Sequence, residues 1–124
     1  MLKFNYYKKA DLLETHLLGA ADIYDIISHY HYIESIISEH EELNVLIDCR
    51  GFKINVHPND LDLILPKLSN IIGHIKYFKE AILVDLPQST VIATMFQDKY
   101  LDLGKYKFRV FSTEDAARIW LGLA

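Results

Sequence analysis

A single cysteine, Cys49, is all the thiol chemistry this 124-residue chain carries. An intrachain disulfide is therefore excluded, and so is a thiolate-rich zinc site. Five glycines and three prolines form neither a glycine-rich phosphate cradle nor a flexible linker. No apolar run approaches the roughly 18 residues that cross a bilayer as a helix. Lys and Arg number 13 against 17 Asp and Glu, a formal net charge of −4. That balance argues against a grip on nucleic acid or an anionic membrane, each of which needs a basic patch, and Lys8-Lys9 is too short to supply one. The opening residues Met1-Leu2-Lys3-Phe4-Asn5 lack the charged-then-apolar plan of a signal peptide, so a cytoplasmic location is expected.

What is present is an ordinary globular balance, 51% hydrophobic and 24% charged, in a length suited to one domain over residues 1–124. Leu2–Tyr7 alternates as a half-exposed strand, Lys8–Asp11 turns, and Leu12–Leu18 reads as a second, antiparallel strand ended by Gly19. Ile23, Ile26, Ile27, Tyr30, Ile33 and Ile37 then fall at helical spacing, with Asp22 at the end where a negative charge complements the helix dipole. Asn44–Asp48 is apolar on both faces, as a buried parallel strand should be. Pro58 suits the first turn of a helix whose stripe is Leu61, Ile64, Leu65, Leu68, Ile71, Ile72 and Ile75. Pro66 removes a backbone hydrogen bond there and is expected to kink it, because the stripe stays in phase on both sides.

Two strand-then-helix units close the chain. Ile82–Asp85 leads into a helix opened by Pro87-Gln88-Ser89-Thr90 with Val91, Ile92, Met95 and Phe96 as its face. After a loop over Asp98–Lys107, Phe108–Phe111 leads into Ser112-Thr113-Glu114-Asp115 and a helix with Ala116, Ile119, Trp120 and Leu121. The order β-β-α-β-α-β-α-β-α predicts an α/β fold, a four- to five-stranded mixed sheet with about four helices. Such sheets take ligands at the carboxyl ends of their strands.

Asp48 and Asp85 stand at two such ends, where they could hold Mg²⁺ or share a proton, or simply cap the turns that follow. Cys49 beside Arg50 could be a reactive thiolate; a single cysteine at a strand end is more often a small buried residue. The helix opening at Pro87 could offer free N–H groups to an anion, with Ser89 or Thr90 adding a hydroxyl, or Ser89 could serve as a cap. His29 and His31 lie two apart on a helix and point away from each other; His40 is read at a solvated helix end, and His57 and His74 have no ligand partner at useful spacing, so no metal is expected. Tyr6, Tyr7, Tyr24, Tyr30, Tyr32 and Tyr77 are numerous enough to suggest a subunit contact or half-buried rings with wet hydroxyls.

The runs Ala81–Pro87, Ala93–Gln97 and Phe108–Leu121 resemble the SpoIIAA-like, STAS-type family of small bacterial proteins. The resemblance implies one STAS-like domain related to anti-sigma-factor antagonists and to CRAL-TRIO lipid carriers. True antagonists carry a phosphorylated serine after the strand equivalent to Asn44–Asp48. Here Cys49-Arg50-Gly51-Phe52-Lys53-Ile54-Asn55-Val56 holds no serine or threonine, which counts against a phospho-switch.

The expectation is a non-enzymatic regulatory or carrier module without a cofactor. It would bind a protein partner or a small apolar ligand at Asp48, Cys49, Arg50, Phe52, Asp85, Gln88, Ser89 and Thr90, with Phe52, Met95 and Phe96 as an apolar wall. The alternatives are a small enzyme using Cys49 or the Asp48/Asp85 pair, and a structural homo-oligomer such as a homodimer.

Overall fold

A computed structural model of the chain describes residues 1–100 and 103–123. The fold is α/β. Five strands, β1 (Leu2–Tyr7), β2 (Leu12–Leu17), β3 (Glu42–Asp48), β4 (Tyr77–Leu83) and β5 (Tyr106–Phe111), lie side by side in chain order. β1 and β2 form an antiparallel hairpin, and every later pairing is parallel. Helices α1 (Ile23–Ile36), α2 (Leu65–His74) and α3 (Pro87–Lys99) make the crossovers, and α4 (Glu114–Leu121) ends the fold. Because each crossover steps one strand in the same direction and crossovers share a hand, α1, α2 and α3 all cover one face. α4 alone covers the other, where Ala117 and Leu121 pack on Leu46, Ala81 and Leu83.

Local sequence explains the element ends. Asp22 caps α1 in a reciprocal box: its carboxylate accepts the Asp25 N–H at 2.9 Å, while Asp25 accepts the Asp22 N–H at 3.0 Å. Thr113 caps α4, and Gly122, at φ 77°, closes it in the left-handed conformation that costs glycine nothing. The isoleucine-rich face of α1 is held by burial rather than propensity: Tyr30, Ile33 and Ile36 are all buried.

Several expectations need adjusting. Pro66 does not kink one helix; residues Pro58–Ile64 form a 3₁₀ segment, and Pro66 sits in the first turn of a separate α2. There its missing N–H is one that a helix start leaves unbonded anyway. Burial at Leu61, Ile64, Leu68, Ile71 and Ile75 runs through both pieces, while Leu65 is exposed. α3 buries Ser89, Ile92, Ala93 and Phe96, leaving Val91 and Met95 outside. α4 buries Ala117 and Leu121, leaving Ile119 exposed. β4 begins five residues before Ile82 and ends at Leu83, two residues short of Asp85. The expected loop Asp98–Lys107 is shortened by α3 and β5, and its Leu101 and Asp102 lie outside the described residues.

Candidate functional site

Side chains alternate across a strand, so Thr15 of β2 and Glu80 of β4 both face the layer of α1, α2 and α3. Both are wholly buried. His29, on the inward side of α1, spans the gap: its Nε2 lies 2.8 Å from Glu80 Oε2 and its Nδ1 lies 3.0 Å from Thr15 Oγ1. The Tyr30 hydroxyl donates to Glu80 Oε1 at 2.7 Å, and the Tyr106 hydroxyl donates to the same oxygen at 2.6 Å. Burial, reinforced by the adjacent Glu80 carboxylate, holds both tyrosine hydroxyls protonated well above their ordinary range. A carboxylate in an apolar interior is tolerable only with partners at both oxygens, and this one has three.

The network borders a cavity of about 50 Å³, several times the roughly 10–15 Å³ that one water requires. Thr15, His29 and Tyr30 lie along its margin, and its wall is almost entirely apolar, including Leu17, Ile47, Ile54, Ile82, Ala93 and Phe96. Leu17, Ile47 and Ile82 come from the carboxyl ends of β2, β3 and β4, the end where α/β sheets take ligands.

A strap over residues 52–56 roofs that end. It starts at Gly51, whose φ of 83° makes the turn. Its middle pairs in parallel with Ala21, two residues before α1: Ala21 N–H donates to Lys53 O at 2.9 Å, and Asn55 N–H donates to Ala21 O at 2.7 Å. Ile54 and Val56 point into the cavity.

The residues expected to bind a ligand from sequence do gather at the same end, but Asp85, Gln88 and Ser89 anchor the strap there and Asp48 pairs with Arg50. Asp85 accepts the Gly51 N–H at 2.8 Å. Ser89, wholly buried, accepts the Ile54 N–H at 3.2 Å and donates to Phe52 O at 3.0 Å, so it fastens the strap instead of capping α3. Gln88 reaches Asn55 at 3.5 Å, and Thr90 donates back to Leu86 O. Asp48 grips Arg50 through two side-chain bonds of 3.0 and 2.8 Å. Arg50 also reaches Glu114 at 3.2 Å, joining a network that continues through Arg118 to Glu14 of β2. The hydrogen bonds from Arg50 hold the Asp48 carboxyl below the usual range.

Asp48 and Asp85 thus have separate partners, and no group of three or more metal-ligating side chains occurs among the described residues. Cys49 is buried, and burial followed by the Asp48 charge pushes its thiol up to about 12. Of the expected apolar wall, Phe96 lines the cavity, whereas Phe52 and Met95 are exposed. His40 is not solvated: its side chain is buried, with Nδ1 2.5 Å from Asp11 and Nε2 against the Tyr6 hydroxyl. Among the tyrosines of α1, only Tyr24 is exposed; Tyr30 is core and Tyr32 stacks on Phe4 at 4.1 Å.

The polar cluster was legible in principle. Glu80 lies two residues from Phe78 and from Ile82, on their face of the strand. Thr15 sits between Leu13 and Leu17, and His29 falls three residues from Ile26 and four from Ile33, on the apolar stripe. Starting β4 at Ile82 hides Glu80, and without it His29 has no evident partner. No helix among the described residues is long and apolar enough to cross a membrane. No protein-family model matches the chain, and no curated protein matches it.

Proposed function

We propose that this chain is a non-enzymatic binding module, a regulatory or carrier domain that holds a small, mostly apolar molecule beneath the strap at the carboxyl end of its sheet. The observation that carries this reading is the cavity itself, an almost wholly apolar chamber bordered by Thr15, His29 and Tyr30. Close-packed interiors leave few voids larger than a water, and pockets for small ligands are apolar with a few placed polar groups. The STAS-like resemblance points the same way. The loop 49–56 offers no serine or threonine for a phospho-switch, which leaves ligand or partner binding as the means of regulation.

Thr15, His29 and Glu80 run hydroxyl, imidazole, carboxylate in series, the order of an acyl-transfer triad. Binding is favoured over that chemistry because Thr15 lies inside the sheet, paired with Phe4 on one side and Ile47 on the other. Its backbone is committed to the ladder instead of being free to stabilise an oxyanion. A nucleophilic Cys49 is disfavoured by its burial and raised thiol pKa.

Xenon, which enters apolar cavities, tests the reading. Under xenon pressure the methyl resonances of Ile47, Ile82 and Ile92 should shift in saturable fashion, and Ala93→Val, which adds two methyls to the wall, should suppress the shift. Native mass spectrometry of freshly purified protein should show an excess mass that denaturation removes if a natural ligand is retained. Unmoved methyls in the wild type would refute the cavity as a binding site.

A further inference from the structure

β5 is an edge of the sheet, and its outer side is partly open. Phe78 N–H donates to Lys105 O and Val84 N–H donates to Phe111 O, which fixes the phase of the ladder. Lys107 and Arg109 therefore turn their backbone groups to β4, and Tyr106, Phe108 and Val110 turn theirs outward. Two outward N–H groups are taken. Tyr106 donates to Leu103 O at 3.3 Å, and Val110 donates at 3.0 Å to Gln97 Oε1, which stands where a neighbouring strand's carbonyl would. Between them, the N–H and C=O of Phe108 meet no group of the described residues.

The flank of this edge is basic. Lys107 and Arg109 are exposed on the α4 face of the sheet, and the register sets Lys107 directly beside Lys79. Like charges directly opposite each other in a sheet are destabilising. Among the described residues none of these three cations meets a carboxylate, whereas Lys67, Lys76, Lys99 and Arg118 each do. Trp120 holds two of the three in place: Lys79 Nζ lies 5.2 Å and Arg109 Cζ 5.8 Å from its ring centre. A groove of about 380 Å³ runs along them, bordered also by Gln97, Tyr100 and Phe108.

Uncompensated cations beside an unpaired strand group are the complement of an acidic, extended chain. We propose that the β5 edge receives an extended acidic segment of a partner protein, paired antiparallel with its backbone on Phe108 and its carboxylates opposite Lys107 and Arg109. Because side chains alternate, the residue between the two carboxylates lies over half-buried Phe108, so the segment reads acidic, apolar, acidic. A second copy of this chain does not fit, since β5 paired with β5 about Phe108 would set Lys107 against Arg109. A long polyanion such as nucleic acid is repelled by the net charge of −4, whereas a short segment feels mainly the charges within a Debye length, about 8 Å. This surface lies outside the cavity, and the proposal stands or falls independently of the cavity reading.

The probe is the capped pentapeptide valine-glutamate-valine-glutamate-valine, titrated into the intact chain and followed by backbone amide resonances. Saturable shifts centred on Lys107, Phe108 and Arg109 are expected, with slowed exchange of the Phe108 amide. Replacing both glutamates by glutamine should weaken binding about five-fold. Methylating the central valine nitrogen keeps the charges, removes the hydrogen bond to Phe108 O and should abolish binding. In the double variant Lys107→Gln, Arg109→Gln, altered only at exposed side chains, the glutamate and glutamine peptides should bind within about two-fold of each other.

No saturable shift in wild type would mean that the cations only guard the edge against self-pairing, and would overturn the proposal. So would equal binding of the two peptides to wild type, or undiminished binding of the methylated one. A single-stranded oligonucleotide that moved the same amides at lower concentration than the pentapeptide would assign the edge to nucleic acid instead.

Discussion

Removing one hydroxyl tests whether Glu80 is held as a buried anion. In Tyr106→Phe the ring stays, so its packing at 5.0 Å from Phe78 and 6.4 Å from Phe108 is preserved. What disappears is the 2.6 Å bond into Glu80 Oε1, leaving the carboxylate with Tyr30 and His29. A buried hydrogen bond to a charged group contributes about 1.5–3 kcal/mol, so a loss of about 2 kcal/mol is expected. Unfolding entropy of about 2.1 cal/mol/K per residue makes that a fall in Tm of about 8 °C for 124 residues. Urea denaturation with an unchanged slope is the assay. Tyr24→Phe, at a ring 74% exposed, is the control and should cost under about 0.5 kcal/mol. In a Glu80→Gln background the cost of Tyr106→Phe should fall to about half, since a charge-assisted bond is roughly twice as strong as a neutral one. A wild-type cost below about 0.5 kcal/mol, or an equal cost in both backgrounds, would refute the buried-anion account.

Three further outcomes can be checked. Ser89→Ala leaves the Ile54 N–H and the Phe52 carbonyl without their shared hydroxyl, and should cost about 1–2 kcal/mol; amide exchange at Ile54 should quicken more than in the β3 or β4 core. Cys49, with its thiol at about 12, should react with a thiol reagent at neutral pH only as fast as the chain opens, and denaturant should accelerate the reaction sharply; rapid native labelling would contradict its burial. Asp48, lowered by Arg50, contributes stability that is fully present above the ordinary aspartate range and is lost as pH falls through its folded value. Asp48→Asn should therefore be less stable than wild type at neutral pH, and the gap should close as pH drops below about 4; a gap unchanged with pH would contradict the ion pair.

Much of the architecture was readable from period and punctuation. The alternation of Leu2–Tyr7, the isoleucine stripe of α1 and the two-sided apolar run at β3 each follow from which side chains must leave water, and that depends on spacing along one segment. Asp22, Thr113 and Pro58 mark helix starts through purely local chemistry. These features sufficed for an α/β sheet of the right size.

What the linear pattern could not decide was which polar groups meet. Asp48, Arg50, Asp85 and Ser89 look like ligands in waiting at strand ends, yet Asp48 and Arg50 bond each other, and the strap takes up Asp85 and Ser89 in its own anchorage. Thr15, His29, Tyr30, Glu80 and Tyr106 are scattered along the chain and lie on four elements. Their pairing depends on sheet register and on the rotation of α1, which are set by the packing of the whole core. The sequence by itself therefore determined the elements and their order, because burial period and capping act locally. Only the tertiary structure decided the site, because a buried carboxylate finds its partners through long-range packing.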